Sequence, residues 1–238
     1  MGELTIKNKE IVVPGEVLAK GMDYLPGKGT YRKGEDIAAA SVGLTSISGR
    51  AIKLIPLSGK YLPKKGDTII GKIIDVGLSA WRLDTFSAFS AMIGLKEATS
   101  EFIERGADLR KYYDFGDYIV TQVTNVSPQM LVDVTMKGPG LRKLGPGRIF
   151  FVNCYKVPRI IGKKGSMVSM IKQATGVKIT VGQNGVIWMS GEDPKSERIA
   201  YETIKKIEAE AHKSGLTDKI KKHLEKITGK KLEEGGSQ

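Results

Sequence analysis

The chain has a single cysteine, Cys154, among 238 residues. With no second thiol an internal disulfide framework is excluded, which fits a reducing interior. Cys154 closes the apolar run Ile149 to Cys154, where a buried strand residue is expected rather than a nucleophile. Histidine is nearly as scarce: His212 and His223 both fall in C-terminal helical segments, and neither has a partner at metal-ligand spacing. No segment approaches the ~20 apolar residues of a membrane span, and the opening MGELTIKNKE is too polar and acidic for a signal peptide. Met1-Gly2 opens like a myristoylation site, but Ile6 stands where that motif requires Ser or Thr. A cytoplasmic protein with no membrane partner is expected, and no residue pattern asks for a cofactor.

What is abundant is glycine and positive charge. The 29 glycines spread along the chain favour several small, turn-rich modules, each able to bury its own core. The formal charge of +12 suits a polyanionic partner, and its distribution is uneven. Residues 1–65 carry 11 Lys+Arg against 6 Asp+Glu, residues 66–140 carry 7 against 10, and residues 141–238 carry 20 against 10. The basic excess therefore sits mainly in the last third.

That third contains VPRIIGKKGSMVSMIKQATGVKITV, residues 157–181. It reads as a helical turn with Ile160 and Ile161, a loop Gly162-Lys163-Lys164-Gly165, a helix from Ser166, and a strand entered through Thr175-Gly176. Two glycines leave the backbone bare for close approach, two lysines supply charge, and the next helix begins with its positive dipole end at the same point. With Val168 and Ile171 on one helical face, the stretch matches a KH domain, which clamps about four backbone nucleotides of single-stranded RNA or DNA. The flanks complete the order strand, helix, helix, strand, strand, helix. A strand follows Arg148; Asn184-Gly185 signals a hairpin turn before Val186 to Met189; Asp193-Pro194 caps a helix whose Ala200, Ile204, Ile207 and Ala211 form one stripe. As a hairpin turn, Gly182-Gln183-Asn184-Gly185 needs no functional explanation.

Upstream, residues 1–65 show short apolar runs cut by Gly and Pro every ~8–12 residues, which indicates a small all-β module suited to docking or packing. Residues 66–140 read as five strands, with Gly-Asp entering the first (Gly66-Asp67) and the fourth (Gly116-Asp117), and a helical or irregular excursion from Lys96 to Lys111. The pattern resembles a small OB-type barrel of the S1 RNA-binding kind. It departs from that kind on the second strand, where Ser79-Ala80-Trp81-Arg82 replaces aromatic-Gly-x-aromatic, which weighs against classical base stacking there. Trp81, Phe86, Phe89, Tyr112 and Tyr113 are candidate stacking platforms, at ~1–3 kcal/mol per base, with Lys72, Arg82, Arg110 and Lys111 as charges; Phe86 and Phe89 equally suit the barrel core. Asp75, Asp84 and Asp133 are the carboxylates that could meet on the barrel as an ion-binding cluster, although strand-end carboxylates are more often solvated.

The fold class is thus multidomain, mainly β and then α+β. Residues 1–65 form a β-rich module, 66–140 an OB-fold barrel of the S1 type, 141–213 a KH domain (βααββα) and 214–238 a basic helical tail. In that tail Leu216, Ile220, Leu224 and Ile227 face a partner or RNA, and disorder is expected from Glu233 to Gln238. This order resembles the KH-bearing RNA-binding cap subunit of the archaeal exosome over nearly the whole chain. The resemblance is carried by Ile11-Val12-Val13-Pro14-Gly15-Glu16, by Lys156 to Gly162, by Gly182-Gln183-Asn184-Gly185, which fits that family's GXNG motif, and by Gly215-Leu216-Thr217-Asp218. It implies a non-catalytic cap, present in several copies on a ring of RNase PH-type subunits, that binds single-stranded RNA and feeds it to 3′–5′ degradation and processing. The N-terminal module would dock, GXNG would support packing between KH and S1, and RNA would meet Arg159, Gly162, Lys163, Lys164, Gly165, Lys72, Trp81, Arg82, Arg110 and Lys111. The alternatives are a free-standing KH/S1 regulator of translation or RNA stability, and an enzyme that acts on RNA itself.

Overall fold

A computed structural model describes residues 2–101, 103, 104, 106–213 and 215–229. The chain forms two units, Met1–Gly59 and Lys60–Gln238. The expected disorder of Glu233 to Gln238 lies outside the described residues.

In the first unit every apolar run is short, so every strand is short. Glu3–Leu4, Val17–Lys20, Asp36–Ala39 and Thr30–Lys33 make one sheet in that order; Ile11–Val12, Gly43–Ser48, Ala51–Pro56 and Leu25–Pro26 make the other. Ala51–Pro56 shows how sequence sets the faces: Ile52 and Leu54 are buried while Lys53 and Ile55 are exposed, the period of two that a pleated strand imposes. Val12, Leu18, Ile37 and Ala39 join Ile52 and Leu54 in one core.

The second unit opens with a closed barrel. Thr68–Val76 pairs antiparallel with Ala80–Asp84 on one side and Tyr118–Val126 on the other. Ser90–Gly94 pairs with Ala80–Asp84 and, in parallel, with Val132–Thr135, which returns to Tyr118–Val126. Five strands thus close without a free edge, the OB-type barrel expected. Ile69, Ile73, Trp81, Leu83, Ile93, Ile119 and Val123 fill it. The excursion after the third strand holds a short helix, Leu95–Ala98, and a 3-10 turn, Leu109–Lys111.

The KH order is also present: strand Arg148–Phe151, helix Val157–Ile161, helix Ser166–Thr175, strands Lys178–Val181 and Val186–Ser190, helix Pro194–Glu210. The last helix starts as its sequence requires, with the Asp193 carboxylate accepting from the N–H groups of Lys195 (3.1 Å) and Ser196 (3.3 Å). The strand from Arg148 stops at Phe151, and Cys154 opens a 3-10 turn instead of continuing it, because the Asn153 side chain accepts from the Tyr155 N–H at 2.9 Å and turns the chain. Cys154 is half-buried against the barrel core, and burial raises its thiol pKa.

A second correction concerns the tail. Helix Leu216–Thr228 places Leu216, Ile220 and Leu224 in the KH core beside Ile171, Ile204 and Ile207. Its apolar stripe is therefore covered by its own domain, where each buried aliphatic side chain contributes about 1.5–3 kcal/mol, and only Ile227 of that stripe stays exposed.

Barrel and KH domain share an interface. Ile70 and Val120, on the outer face of the barrel, are buried with Leu144, Val186 and Trp188. At its edge the Asn184 side chain, 6% exposed, donates to the carbonyls of Ile70 (2.8 Å) and Thr85 (2.9 Å) and accepts from the Ile70 N–H (3.3 Å). Gln183 adds a two-way link to Thr68: its N–H donates to the Thr68 carbonyl at 2.8 Å, and its side-chain oxygen accepts from the Thr68 N–H at 2.6 Å. A Cβ on Gly182 would sit 2.8 Å from the Ile70 nitrogen, so this approach needs glycine.

Candidate nucleic-acid interface

The loop Gly162–Gly165 is built from the backbone outward. Helix Val157–Ile161 ends when the Gly162 N–H donates to the Pro158 carbonyl at 3.0 Å. Gly162 then takes φ 77°, ψ 176°, a region open essentially to glycine alone. Lys164 (φ 50°) and Gly165 (φ 81°) follow in the left-handed region. The tight turn leaves Lys163 and Lys164 exposed. A Cβ on Gly165 would meet nothing within 4 Å, so the glycine keeps a backbone surface open without being needed for packing.

Helix Ser166–Thr175 starts at Gly165 with no side-chain cap. The Ser166 N–H is already taken, donating to the Lys163 carbonyl in the preceding 3-10 turn, and the positive end of the helix dipole lies at the two lysines. Arg159, one helical turn before the loop, is exposed as well. Bare backbone, cationic side chains and a helix start thus converge on one surface. The arrangement can hold an anionic oxygen by charge and helix dipole, and it offers nothing that could break a bond.

On the barrel the candidates are spread over separate elements. Arg82 is exposed on the second strand, opposite Asp75 and Met92, and Arg110 and Lys111 are exposed on the 3-10 turn. The Lys72 ammonium lies 5.8 Å from the Tyr118 ring centre, within cation–π range.

Trp81 is a correction. It is fully buried, its Nε1–H donates to the Tyr113 carbonyl at 2.9 Å, and its ring meets the Tyr113 ring edge-on at 5.5 Å. It therefore holds the barrel together and presents no face to a base. Phe86 packs on Tyr118 and Phe151 at the KH boundary, and Phe89, Tyr112 and Tyr113 pack against the barrel core. Among the described residues the exposed barrel ring is one not singled out in the sequence, Phe115 (70% exposed). Its turn residues Asp114-Phe115-Gly116-Asp117 were the available signal.

Among the described residues, no three of His, Cys, Asp and Glu gather where they could hold a metal ion. Asp84 instead accepts from the Phe86 N–H at 2.7 Å, and Asp133 accepts from the Asn125 amide at 3.3 Å. No helix among the described residues is long and apolar enough to cross a membrane.

Comparison with known proteins agrees with this layout. Residues 148–210 match the family model of the KH domain, and residues 11–48 match one described as the exosome complex exonuclease RRP4 N-terminal region. The exosome complex component Rrp4 of Pyrococcus furiosus is 43% identical over 227 residues, which covers 94% of this chain and 86% of that protein. The chain belongs to the Rrp4 family of exosome components. Another family member, from Methanothermobacter thermautotrophicus, is 42% identical over 95% of this chain and 71% of its own length. A crystal structure described as that of an exosome complex RNA-binding protein superposes with a TM-score of 0.62 at 33% identity, covering 71% of this chain and 97% of that one. Family membership gives GXNG a context that the hairpin reading lacked: Gln183 and Asn184 join the KH domain to the barrel.

Proposed function

We propose that this chain is a non-catalytic RNA-binding cap of an archaeal-type exosome. It would take single-stranded RNA at its KH and barrel surfaces and hand it to an RNase PH-type ring for 3′–5′ degradation. The observation that carries this reading is the open, basic Gly162–Gly165 loop at an uncapped helix start, in a chain of the Rrp4 family. Exposed Arg82, Arg110 and Lys111 on the barrel add charge along the route. The first 65 residues, which carry no chemistry of their own, are assigned to docking on the ring, with several copies per ring.

Mixing the purified chain with RNase PH-type subunits tests the reading. A stable complex that degrades RNA, beside a chain that alone leaves labelled RNA intact with either phosphate or magnesium, is the expected result. Shortening of RNA by the chain alone, surviving repurification, would overturn the non-catalytic role. RNA binding without any complex would instead favour a free-standing regulator.

A further inference from the structure

The turn Asp114-Phe115-Gly116-Asp117, which leads into the strand Tyr118–Val126, is held by its own carboxylates and by the barrel backbone. The Phe115 N–H donates to the Asp114 Oδ1 at 2.7 Å, and the Asp114 N–H donates to the Asp117 Oδ2 at 2.7 Å. Gly116, at φ 91°, donates its N–H to the Ile73 carbonyl at 2.9 Å, and the Ile73 N–H donates to the Asp117 carbonyl at 2.8 Å. Two residues thus oppose one on the neighbouring strand, a bulge with glycine in its left-handed position, of the kind that re-aims a side chain at a barrel rim. Asp117 also forms an ion pair with Lys143, of the short strand Arg142–Lys143 that pairs with Tyr118–Val126.

What this fixed turn displays is the Phe115 ring, 70% exposed and met by no other aromatic ring among the described residues. A ring left in water forgoes the stabilisation of burial. The turn does not need it, because its bonds run to backbone groups that any residue at 115 would supply. Exposed Arg110 and Lys111 lie on the 3-10 turn four and five residues earlier, at most roughly 18 Å of chain away. Their charge is matched locally: Asp108, Asp114 and Asp117 stand against Arg110, Lys111 and Lys143. The site therefore gains little from charge, in keeping with a barrel region of 7 Lys+Arg against 10 Asp+Glu, and what it offers a ligand is the ring itself.

We infer that Phe115 is a stacking platform for one unpaired nucleobase of RNA held by the barrel. A protein partner would need a wider apolar surface to form a dry interface core. The neighbours of the ring in the turn are Asp114, Gly116 and Asp117, a polar collar that suits a base, whose face stacks while its edges stay hydrogen-bonded to water. The inference rests on the RNA-binding reading above. It moves stacking away from the second strand, where Trp81 is buried, to the turn before the fourth. The barrel then contributes by stacking, which tolerates any base, and the KH loop by charge.

The full chain is titrated with uridine-rich single-stranded RNAs of ~12 nucleotides, each carrying 2-aminopurine at one position, a base whose fluorescence falls when it stacks. Wild type is compared with Phe115→Ala, Phe115→Tyr, and Lys163→Asp with Lys164→Asp. Wild type should quench the probe at a restricted set of positions. Phe115→Ala should lift that quenching and bind about five- to a hundredfold more weakly, the range of one base–aromatic stack, with an unchanged salt slope because no phosphate contact is lost. Phe115→Tyr should keep both affinity and quenching, and the clamp variant should flatten the slope yet quench normally at saturation. An abasic site at the quenched position tests the same contact in the unaltered protein, and should weaken binding as much as Phe115→Ala does. Wild-type affinity for the abasic RNA, or quenching that survives in Phe115→Ala, would remove the platform while a weakened clamp variant leaves the RNA-binding reading standing. A shallower slope in Phe115→Ala would also overturn it, since displaced charge would then be the cause. So would a Phe115→Ala chain that binds RNA normally but no longer associates with RNase PH-type subunits, which would make the ring a protein contact. A wild type that binds no RNA ends both readings.

Discussion

Two loops of the KH domain share the spacing Gly-X-X-Gly, and both crowd their first glycine, but the three residues that follow have opposite surroundings. Around Gly162-Lys163-Lys164-Gly165 the lysines are exposed, and the space beside Gly165 is empty. Around Gly182-Gln183-Asn184-Gly185 the glycines are walled in: a Cβ on Gly185 would collide with the Val152 carbonyl, and Asn184 is bonded into the barrel. The difference lies in the middle residues. Ammonium groups are costly to bury and stay in water, whereas a neutral amide, with two donors and an acceptor, can satisfy backbone groups that lack partners. The spacing alone marks a tight turn; the residues inside it decide whether the turn faces solvent or another domain.

Breaking the buried loop should have the largest effect. Asn184→Ala leaves the Ile70 N–H and the Ile70 and Thr85 carbonyls without their partner. At about 1–3 kcal/mol for each unsatisfied buried group, part of it recovered by relaxation, the expected loss is about 3–5 kcal/mol. Gly185→Ala should cost at least as much, since φ 83° and the Val152 carbonyl both oppose a side chain. Urea unfolding of the full chain measures both. A loss below about 1 kcal/mol for Asn184→Ala would mean that the apolar interface alone holds the two domains.

Reversing charge in the open loop should do the opposite, sparing stability and striking binding. Lys163→Asp with Lys164→Asp is expected to weaken RNA about ten- to a hundredfold, or roughly 1.4–2.7 kcal/mol. Unrelated sequences should suffer by similar factors, because phosphate contacts are sequence-blind. Filter binding with two unrelated RNAs checks this, and a sequence-dependent loss would show that the loop reads bases.

Gly165→Ala is smaller and sharpens the contrast with Gly185→Ala. Only the left-handed backbone resists it, at about 1–2 kcal/mol, since no neighbour meets the new methyl. Its fall in RNA affinity should accompany that modest loss; if affinity is unchanged, nothing approaches the backbone at Gly165.

The exposed loop was legible in the sequence because its requirement is on the backbone, where glycine is diagnostic, and the order of KH elements followed from Asp193-Pro194, Asn184-Gly185 and the apolar periods. The barrel's strands were legible too, but the direction of the Trp81 ring was misread. Adjacent strand residues point to opposite faces, so Trp81 and Arg82 cannot both meet one ligand, and Trp81 shares its face with buried Leu83. The tail helix shows a different limit. An apolar stripe at Leu216, Ile220 and Leu224 says that something covers it and does not say what; the groove beside Ile171 and Ile204 exists only once the KH helices have packed. The hydrogen bond from the Arg142 guanidinium to the Thr180 hydroxyl was illegible for the same reason, since its partners are 38 residues apart and meet only at the domain boundary.

The smallest effect tests whether satisfaction, rather than burial, is what makes Asn184 matter. Thr121 is fully buried in the barrel strand Tyr118–Val126, opposite Ile69 across the ladder. Its Oγ1 has no hydrogen-bond partner among the described residues. Both residues are polar and buried, but Asn184 spends its donors and acceptor on the barrel backbone while the Thr121 hydroxyl meets no partner among the described residues. Valine has nearly the same shape, so Thr121→Val should be neutral or stabilise by up to about 1 kcal/mol, because the desolvation of an unpaired hydroxyl is no longer required. Urea midpoints for Thr121→Val and Asn184→Leu, measured side by side, should therefore move apart, the first level or upward and the second sharply down. If Thr121→Val instead loses about 1 kcal/mol or more, the hydroxyl has a partner in solution, and buried polar groups in the barrel and at its edge obey one rule rather than two.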